Sequence, residues 1–211
     1  MFTGIIVEVG KVLAVATPGD TRLTIATARS QCTIAIGASI ACSGVCLTVV
    51  EKGTGFAGDP AVGWFAVDVS GETIKCTAPA QWHAGARLNL EPALKLGDEL
   101  GGHIVTGHVD GLGEVAAITP EGASRRIDFI APADLAAYIA AKGSITIDGV
   151  SLTVNTVADQ PDGRARFSVN IIPHTADVTT LGALVPGAQV NLEIDVLARY
   201  LMRMQTAART A

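Results

Sequence analysis

The chain has 211 residues, of which 49% are hydrophobic, 17% charged and 4% aromatic, and its formal net charge at pH 7 is -5. The large apolar fraction and the 23 glycines are typical of a compact, strand-rich globular protein and exclude a disordered chain. Because the charge balance is acidic and the basic residues are scattered, we expect neither a nucleic acid nor a membrane surface as a partner.

The first residues lack the basic and apolar segments of a signal peptide, and no stretch is apolar enough to span a bilayer. We therefore expect a cytoplasmic protein. The four cysteines, Cys32, Cys42, Cys46 and Cys76, show no CxxC spacing and no histidine cluster accompanies them. We expect free thiols, with no metal site and no disulfide framework.

The chain repeats itself, since residues 39–49 and 144–154 are identical at seven of eleven positions. The likeness extends in both directions, pairing Thr3, Gly4, Phe65, Asn89 and Glu91 with Thr106, Gly107, Phe167, Asn191 and Glu193. A repeat of this length predicts two related domains. We place them at residues 1–97 and 98–195, followed by a tail at 196–211. Inside the best-matched phrase, Cys46 of the first copy becomes Ser151 in the second.

Alternation of apolar and polar residues predicts strands along the first half at 2–15, 21–26, 64–69 and 87–91. Residues 37–51 predict two strands around a tight turn, in which Gly44 supplies a backbone angle that disfavours side chains. Four glycines and a proline in residues 51–63 predict a loop.

The second half repeats these elements and adds one predicted helix at 131–143, with Pro132 and Asp134 near its start. Six short strands in each half favour an all-β fold of two homologous six-stranded Greek-key β-barrels with short helical insertions. From Val196 the apolar period becomes helical, and Asp195 suits the N-cap of a C-terminal helix. Its apolar face could fold back on a barrel or associate with another chain.

Four motifs carry a resemblance to a known family: Met-Phe-Thr-Gly-Ile at 1–5, Gly-Val-Cys-Leu-Thr-Val at 44–49, the segment 101–111 with its Gly-Gly-His, and Ile-Asp-Gly-Val-Ser-Leu-Thr-Val at 147–154. Together they resemble the riboflavin synthases of the α-chain type. This resemblance implies a homotrimer tied together by the C-terminal helix, with the catalytic site between barrels of neighbouring subunits. It also allows an association with lumazine synthase.

The resemblance further implies conversion of two molecules of 6,7-dimethyl-8-ribityllumazine into riboflavin and 5-amino-6-ribitylamino-2,4(1H,3H)-pyrimidinedione, without metal or redox cofactor. Two similar domains suit this reaction, because its two substrates are the same molecule and must be held in register. The alternative is a non-catalytic lumazine- or flavin-binding paralogue that keeps the fold and one ligand.

Cys46 stands where the family carries a cysteine, so its thiol is expected to donate a proton or to attack the ring carbon. The competing interpretation is a buried core cysteine. Ser151, its repeat counterpart, would hydrogen-bond the ring or activate water, although strand hydroxyls commonly satisfy backbone groups instead.

His103 is our candidate for proton transfer, because the chemistry begins at the C7 methyl group and imidazole titrates in a suitable range. Its competitor is His108, which takes the place of the repeat-equivalent Ile5. The resemblance puts Asp195 near the acceptor ring in addition to its capping role. It also matches Lys142 to a ligand-contacting lysine of the family. The alternative is a lysine that only stabilises the last turn of the predicted helix, which would have the same sequence signature.

The resemblance implies substrate-binding segments in both halves. In the first half these are Gly4, Ile5, Ile6, Cys46, Leu47, Thr48, Asp68, Val69, Ser70, Gly71, Glu72 and Thr73. In the junction and the second half they are Gly102, His103, Ile104, Lys142, Ser151, Leu152, Thr153, Asn170, Ile171, Ile172, Pro173, His174 and Thr175.

Overall fold

The computed structural model describes residues 1–17, 19–29 and 33–210, so Cys32 lies outside the described residues. Six antiparallel strands form the first barrel: β1 (Glu8–Ala16), β2 (Thr21–Thr27), β3 (Ser39–Cys42), β4 (Val45–Phe56), β5 (Asp59–Val69) and β6 (Arg87–Pro92). They pair in the order β1-β2-β5-β4-β3-β6, and β6 pairs with β1 to close the barrel. Closure removes the free sheet edges that six short strands would otherwise expose.

A second closed barrel follows, built from β7 (Gly111–Glu121), β8 (Ser124–Ala131), β9 (Ser144–Ile147), β10 (Val150–Asp159), β11 (Ala165–Ile171) and β12 (Gln189–Ile194). Its strands pair in the same relative order as those of the first barrel. Phe129 and Phe167 stack at its centre with ring centroids 5.4 Å apart. The predicted pair of six-stranded barrels is confirmed.

The predicted loop at 51–63 is wrong, because these residues extend β4 and β5 into a long hairpin. Ala57 and Gly58 both have positive φ (50° and 92°), which is the backbone of a type I′ turn. The Trp64 indole lies over Gly53, where a Cβ atom would come within 2.6 Å of the ring, and its Nε1 donates to the Gly55 carbonyl. The glycines therefore make room for a tryptophan on a strand surface.

The predicted helix at 131–143 is also wrong in extent. Only α2 (Ala133–Ala136) is helical, and a series of turns follows it. Leu135 and Ile139 from this segment are buried in the second core, so packing of the chain against the barrel takes precedence over the helix propensity of its alanines. Three further helices are α1 (Gly71–Cys76), α3 (Pro173–Val178) and α4 (Val196–Thr210), and 3₁₀ turns lie at Pro79–Gln81 and Thr180–Ala183.

The predicted strand at 2–15 begins only at Glu8. The preceding residues leave the first barrel, and Phe2 exchanges two backbone hydrogen bonds with Val105 of the connection between the barrels.

The two barrels meet through buried amides at equivalent positions. The Asn89 side chain donates to the Asp148 carbonyl (2.8 Å), and the Asn191 side chain donates to the Ser43 carbonyl (2.9 Å). Both asparagines are buried. Loss of either hydrogen bond would leave a buried polar group without a partner, which is costly in free energy. This symmetric exchange fixes the position of one barrel on the other.

Gly44 and Gly149 have φ of 83° and 81°, which confirms the predicted backbone requirement at Gly44. Their turns also touch, because a Cβ atom on Gly44 would lie 2.9 Å from the Gly149 nitrogen. A side chain at either position would separate the barrels.

The C-terminal helix α4 begins after Asp195, whose carboxylate accepts from the Leu197 amide at 2.9 Å, which confirms the predicted N-cap. Arg199 pairs with Asp110 at 2.7 Å and anchors the helix to the connection between the barrels. The apolar face of α4 remains exposed, at Leu197, Tyr200, Leu201 and Met204. Within the described ranges, every helix is too short or too polar to span a bilayer.

Candidate functional site

Equivalent strand pairs carry the two reactive candidates. Cys46 on β4 pairs with Ala41 on β3, and Ser151 on β10 pairs with Thr146 on β9. In both pairs the flanking residues on each strand point into a barrel core, so these side chains lie on the outer face of the sheet. Each outer face is then covered by an irregular segment.

The covering segment over Ser151 comes from the N-terminus of the chain. Glu91 is buried and accepts from the Thr3 amide, the Thr3 hydroxyl and the Gly4 amide at 2.7 to 2.9 Å. The Gly4 carbonyl in turn accepts from the Ser151 amide at 2.8 Å. A Cβ atom on Gly4 would approach the Ser151 Cβ to 2.5 Å, so only glycine allows this contact.

The segment over Cys46 is the repeat equivalent of that arrangement. Glu193 accepts from the Thr106 amide and hydroxyl and from the Gly107 amide at 2.6 to 3.0 Å. The Gly107 carbonyl accepts from the Cys46 amide at 2.8 Å. Each half of the chain therefore covers the reactive strand of the other half, and a first-half site cannot be complete without residues from 106 onwards.

His103 lies over the Ser151–Thr146 pair and contacts both hydroxyls. Its Nδ1 is 2.7 Å from the Ser151 Oγ, and its Nε2 is 3.2 Å from the Thr146 Oγ1. The preceding Gly102 has no room for a side chain, because a Cβ atom there would lie 2.0 Å from the Thr3 carbonyl oxygen. Gly102 therefore allows the close backbone approach that places His103 over this pair.

Burial lowers the pKa of His103 below its ordinary value, and the negative charge of Asp195 opposes this effect. The imidazole is therefore neutral at pH 7 and has one donor and one acceptor nitrogen. The structure thus brings three of the four predicted catalytic residues, His103, Ser151 and Asp195, to the second barrel.

Cys46 lies apart from these three, in a cleft of about 240 Å³ on the first barrel. The predicted residues Glu72 and Thr73 line the same cleft, as does His108. Cys76 faces it too, and its hydrogen bond to Glu72 raises the pKa of its thiol. Sequence analysis preferred His103 to His108 as the candidate for proton transfer. In the structure His108 lies beside Cys46 in the first site, and His103 lies beside Ser151 in the second.

Several predicted binding residues have other partners in this chain. The Asp68 carboxylate forms a two-pronged ion pair with Arg22, which holds the pKa of that carboxyl below its usual range. Its repeat counterpart, Asn170, donates to Glu121 at 2.9 Å. The side chains of Leu47, Val69 and Ile171 are buried in the barrel cores, so only their backbones can face a ligand.

Of the remaining predicted positions, Ile6 and Leu152 are half-buried against the second core, and the others lie on helices α1 and α3 or on exposed surface. Ser70 caps α1 by accepting from the Thr73 amide, and Ile172 and Pro173 begin α3. Thr48 and Thr153 are exposed on the outer faces of β4 and β10, two residues beyond Cys46 and Ser151.

Lys142 is exposed and has φ of 68°, a left-handed conformation that is unfavourable for a residue with a side chain. Its amide donates to the Val154 carbonyl, just as the amide of Gly37 donates to Val49 in the first half. The first half thus has the unstrained residue at this turn. Lys142 therefore occupies a strained backbone position where the first half has a glycine.

Sequence reasoning missed three residues that build the sites: Glu91, Glu193 and Thr146. The two glutamates stood out as a matched pair in the repeat, yet a buried carboxylate holding a Thr-Gly segment has no local signature. Thr146 could have been found from the repeat, because the position holds Ala41 in the first half.

A larger cleft of about 490 Å³ lies beside the first barrel, between Val7, Ile40 and Leu94. Among the predicted site residues, only Ile5 lines it. Among the described residues, no three His, Cys, Asp or Glu side chains are grouped to bind a metal ion.

Known proteins are similar to this chain in both sequence and structure. The family model of the lumazine binding domain matches twice, at residues 3–93 and 106–195. The chain is 47% identical over 208 residues to a riboflavin synthase of Brucella abortus, covering 97% of this chain and 98% of that protein. It is 43% identical over 210 residues to the riboflavin synthase of Mycobacterium tuberculosis H37Rv, covering 99% and 100%.

Among solved structures, the chain is similar to LumP in complex with riboflavin, with a TM-score of 0.74 and 27% identity. LumP in complex with 6,7-dimethyl-8-(1'-D-ribityl)lumazine gives a TM-score of 0.73 and 26% identity. Both comparisons cover 92% of this chain and 99% of the other.

Proposed function

The chain belongs to the lumazine-binding domain family, and from this membership and the geometry of its two sites we propose that it is a riboflavin synthase. It converts two molecules of 6,7-dimethyl-8-ribityllumazine into one riboflavin and one 5-amino-6-ribitylamino-2,4(1H,3H)-pyrimidinedione. One substrate molecule gives a four-carbon unit and the other receives it. This is the last step of riboflavin biosynthesis, and we propose that it needs no cofactor.

The observation that carries this proposal is the mutual covering of two equivalent strands, Gly4 over Ser151 and Gly107 over Cys46. Two identical substrates need two similar binding sites, and the repeat supplies them. Because one of these identical molecules acts as donor and the other as acceptor, their sites must also differ chemically, and the exchange of a thiol for a hydroxyl supplies that difference. Holding both rings in register removes much of the entropic barrier of a bimolecular reaction.

We assign Cys46 to proton donation or to attack on the ring in the first site. We assign Ser151, His103 and Asp195 to the second site, where proton transfer involves the neutral imidazole. This assignment is supported by the Nδ1 to Oγ distance of 2.7 Å and by the influence of Asp195 on the pKa of His103. Lys142 is proposed to pair with a ribityl hydroxyl or a ring carbonyl.

The assembly is proposed to be a homotrimer in which each active site joins the first barrel of one subunit to the second barrel of its neighbour. The exposed apolar face of α4 supports association through residues 196–211. The two domains are proposed to be residues 1–97 and 98–195, which is supported by the positions of strands β1 to β6 in the first range and β7 to β12 in the second. A location in the cytoplasm is supported by the free thiols of Cys42, Cys46 and Cys76. Association with lumazine synthase would be tested by co-sedimentation.

The experiment that tests this function is incubation of the purified protein with 6,7-dimethyl-8-ribityllumazine alone, while riboflavin formation is followed by its absorbance. The alternative function, a non-catalytic lumazine-binding paralogue, is favoured by the structural likeness to LumP, although the identity of 26–27% is well below the 47% shared with a synthase. Tight binding without riboflavin formation would select that alternative.

A further inference from the structure

The hydroxyl of Thr146 is buried although it lies on the outer face of the second barrel. Its neighbours Ile145 and Ile147 point into the core, so alternation along β9 directs Thr146 outward. It is nevertheless only 1% exposed. The imidazole of His103, lying 3.2 Å from the hydroxyl, forms part of its cover.

The first barrel covers the equivalent position with apolar groups. There the cross-strand pair is Ala41 and Cys46, and both pack against Phe2 and Val105 in a small hydrophobic cluster. The pair in the second barrel instead consists of two hydroxyls, and its cover is an imidazole. In the second barrel a hydroxyl, that of Thr146, lies beneath the polar imidazole of His103. In the first barrel the equivalent residue is Ala41, whose methyl group lies beneath an apolar cover.

Hydrogen-bond satisfaction fixes the direction of these bonds. Among the described residues, the Thr146 hydroxyl has a single side-chain partner, the Nε2 atom of His103. A buried hydroxyl hydrogen without an acceptor is costly, so the Thr146 hydroxyl donates to Nε2. The neutral imidazole then has its proton on Nδ1, and that N–H donates to the Ser151 Oγ at 2.7 Å.

We propose that Thr146 is a positioning residue that fixes His103 in its Nδ1-protonated tautomer, so that Ser151 presents its O–H as a hydrogen-bond donor to the substrate in the second barrel. The proposal rests on the function proposed above, and it assigns which groups donate and which accept hydrogen bonds in that same site. The three groups form a directed chain from Thr146 through His103 to Ser151. Such a chain stabilises negative charge that develops on a bound heterocycle, because preorganised donors act on it without reorganisation.

Nuclear magnetic resonance tests the tautomer directly. The chain has four histidines, and a His103→Gln variant assigns the His103 signals in a sample labelled with ¹⁵N in its imidazole rings. We expect a protonated Nδ1 and an unprotonated Nε2 in the wild type at pH 8. Thr146→Val should give signals from both tautomers, and Thr146→Ser should restore the wild-type pattern. A wild-type ring protonated on Nε2, or a Thr146→Val spectrum identical to the wild type, would overturn the proposal.

Turnover provides a second, independent measurement. Thr146→Val should lower kcat about tenfold, the effect of one hydrogen bond made in the transition state, and change KM less than about twofold. Thr146→Ser should recover most of the lost kcat. Thr27→Val is the matched control, because Thr27 is also buried and its hydroxyl also bonds a side chain, at Glu8 in the first barrel. The control should keep the wild-type kcat.

Unchanged kcat in Thr146→Val, or a Thr146→Ser variant as slow as Thr146→Val, would overturn the positioning role. Failure of the wild type to form riboflavin would refute the proposed function instead, and the resonance experiment would still decide the tautomer. If Thr146→Val does not fold, the wild-type spectrum and the Thr146→Ser variant still decide the question.

Discussion

At the scale of single residues, the replacement of Cys46 by Ser151 between the halves is the difference on which the assignment of roles depends. Cys46 is half-buried in its cleft, whereas Cys42 is fully buried in the first core, where burial raises the pKa of its thiol strongly. Cys42 is therefore a packing residue, whereas Cys46 both lines a cleft and packs against the cluster of Phe2, Ala41 and Val105. The competing interpretation of Cys46 as a core cysteine therefore has a testable consequence.

Cys46→Ala should lower turnover at least about 100-fold, the usual contribution of a positioned proton donor, while costing less than about 1.5 kcal/mol of unfolding free energy. The stability cost is small because a half-buried thiol is replaced by a methyl group. Steady-state kinetics and urea denaturation of the same preparation measure both quantities. Activity near that of the wild type would support a packing role for this thiol.

Asp148 predicts an unusual dependence of stability on pH. Burial raises its pKa to about 7, although Asn191 and Gln81 donate to the carboxylate. Between about pH 4 and 7 the folded chain therefore binds a proton that the unfolded chain has lost, so this residue makes stability fall as pH rises.

Asp148→Asn should keep both accepted hydrogen bonds and remove the titration. We expect a gain of about 2 to 4 kcal/mol at pH 8 and little gain at pH 4. Urea denaturation across this range measures the difference. A gain that is the same at pH 4 and pH 8 would show that Asp148 does not titrate in this window.

Asp195 is predicted to influence His103 through its charge, separately from its capping role. Asp195→Asn should lower the pKa of His103 further, because the negative charge that raises it is gone. Asparagine is an equally good N-cap, so helix α4 should persist. Titration of the His103 signal by nuclear magnetic resonance checks this, with circular dichroism as the control for the helix. A rise in the His103 pKa would contradict the assignment.

At the scale of elements, the repeat predicted the barrels well and local signals predicted the connections poorly. The strands around Gly44 and the capped C-terminal helix followed from turn and cap chemistry that acts within a few residues. The hairpin at Ala57-Gly58 did not, because glycines that usually mark a loop here accommodate Trp64, a contact that only the pairing of β4 with β5 creates.

The candidate site likewise contains residues that the sequence could identify and residues whose roles depend on long-range contacts. Cys46, Ser151 and His103 could be selected from the repeat and from the resemblance. Comparison with Ala41 could single out Thr146, but the roles of Thr146, Glu91 and Glu193 could not be assigned, because they exist only when His103, Thr3 and Thr106 from distant parts of the chain reach them. Such contacts leave no periodic signal in the sequence.

Helix α4 predicts the behaviour of a truncated chain. Removing residues 196–211 deletes the exposed apolar face and the Arg199–Asp110 pair but leaves both barrels closed. We expect a folded monomer with turnover reduced at least about 100-fold, because the two half-sites that the proposed trimer brings together would no longer meet. Sedimentation measures the mass and a lumazine assay the activity. Trimers formed by the truncated chain would contradict the role of the helix.

At the scale of the whole molecule, each half covers the candidate site of the other, and this predicts what an isolated half can do. A fragment of residues 1–97 contains all six strands of the first barrel and should fold. It lacks Gly107, His108 and Val109, which line the cleft around Cys46. We therefore expect it to bind lumazine about tenfold or more weakly than the intact chain and to show almost no turnover.

Fluorescence titration and the activity assay on one sample of this fragment decide the point. A fragment that binds no lumazine at all would show that the first half is not an independent site. Full turnover by the fragment would show that Ser151 and His103 are not needed.

The central claim, that one chain carries two unequal sites for one substrate, is tested most directly by the stoichiometry of the reaction. The purified protein is given 6,7-dimethyl-8-ribityllumazine alone, and substrate and both products are quantified by chromatography. The account predicts that two lumazine molecules disappear for each riboflavin and each 5-amino-6-ribitylamino-2,4(1H,3H)-pyrimidinedione that form. Bound lumazine recovered unchanged, or riboflavin formed without an equal amount of the pyrimidinedione, would contradict it.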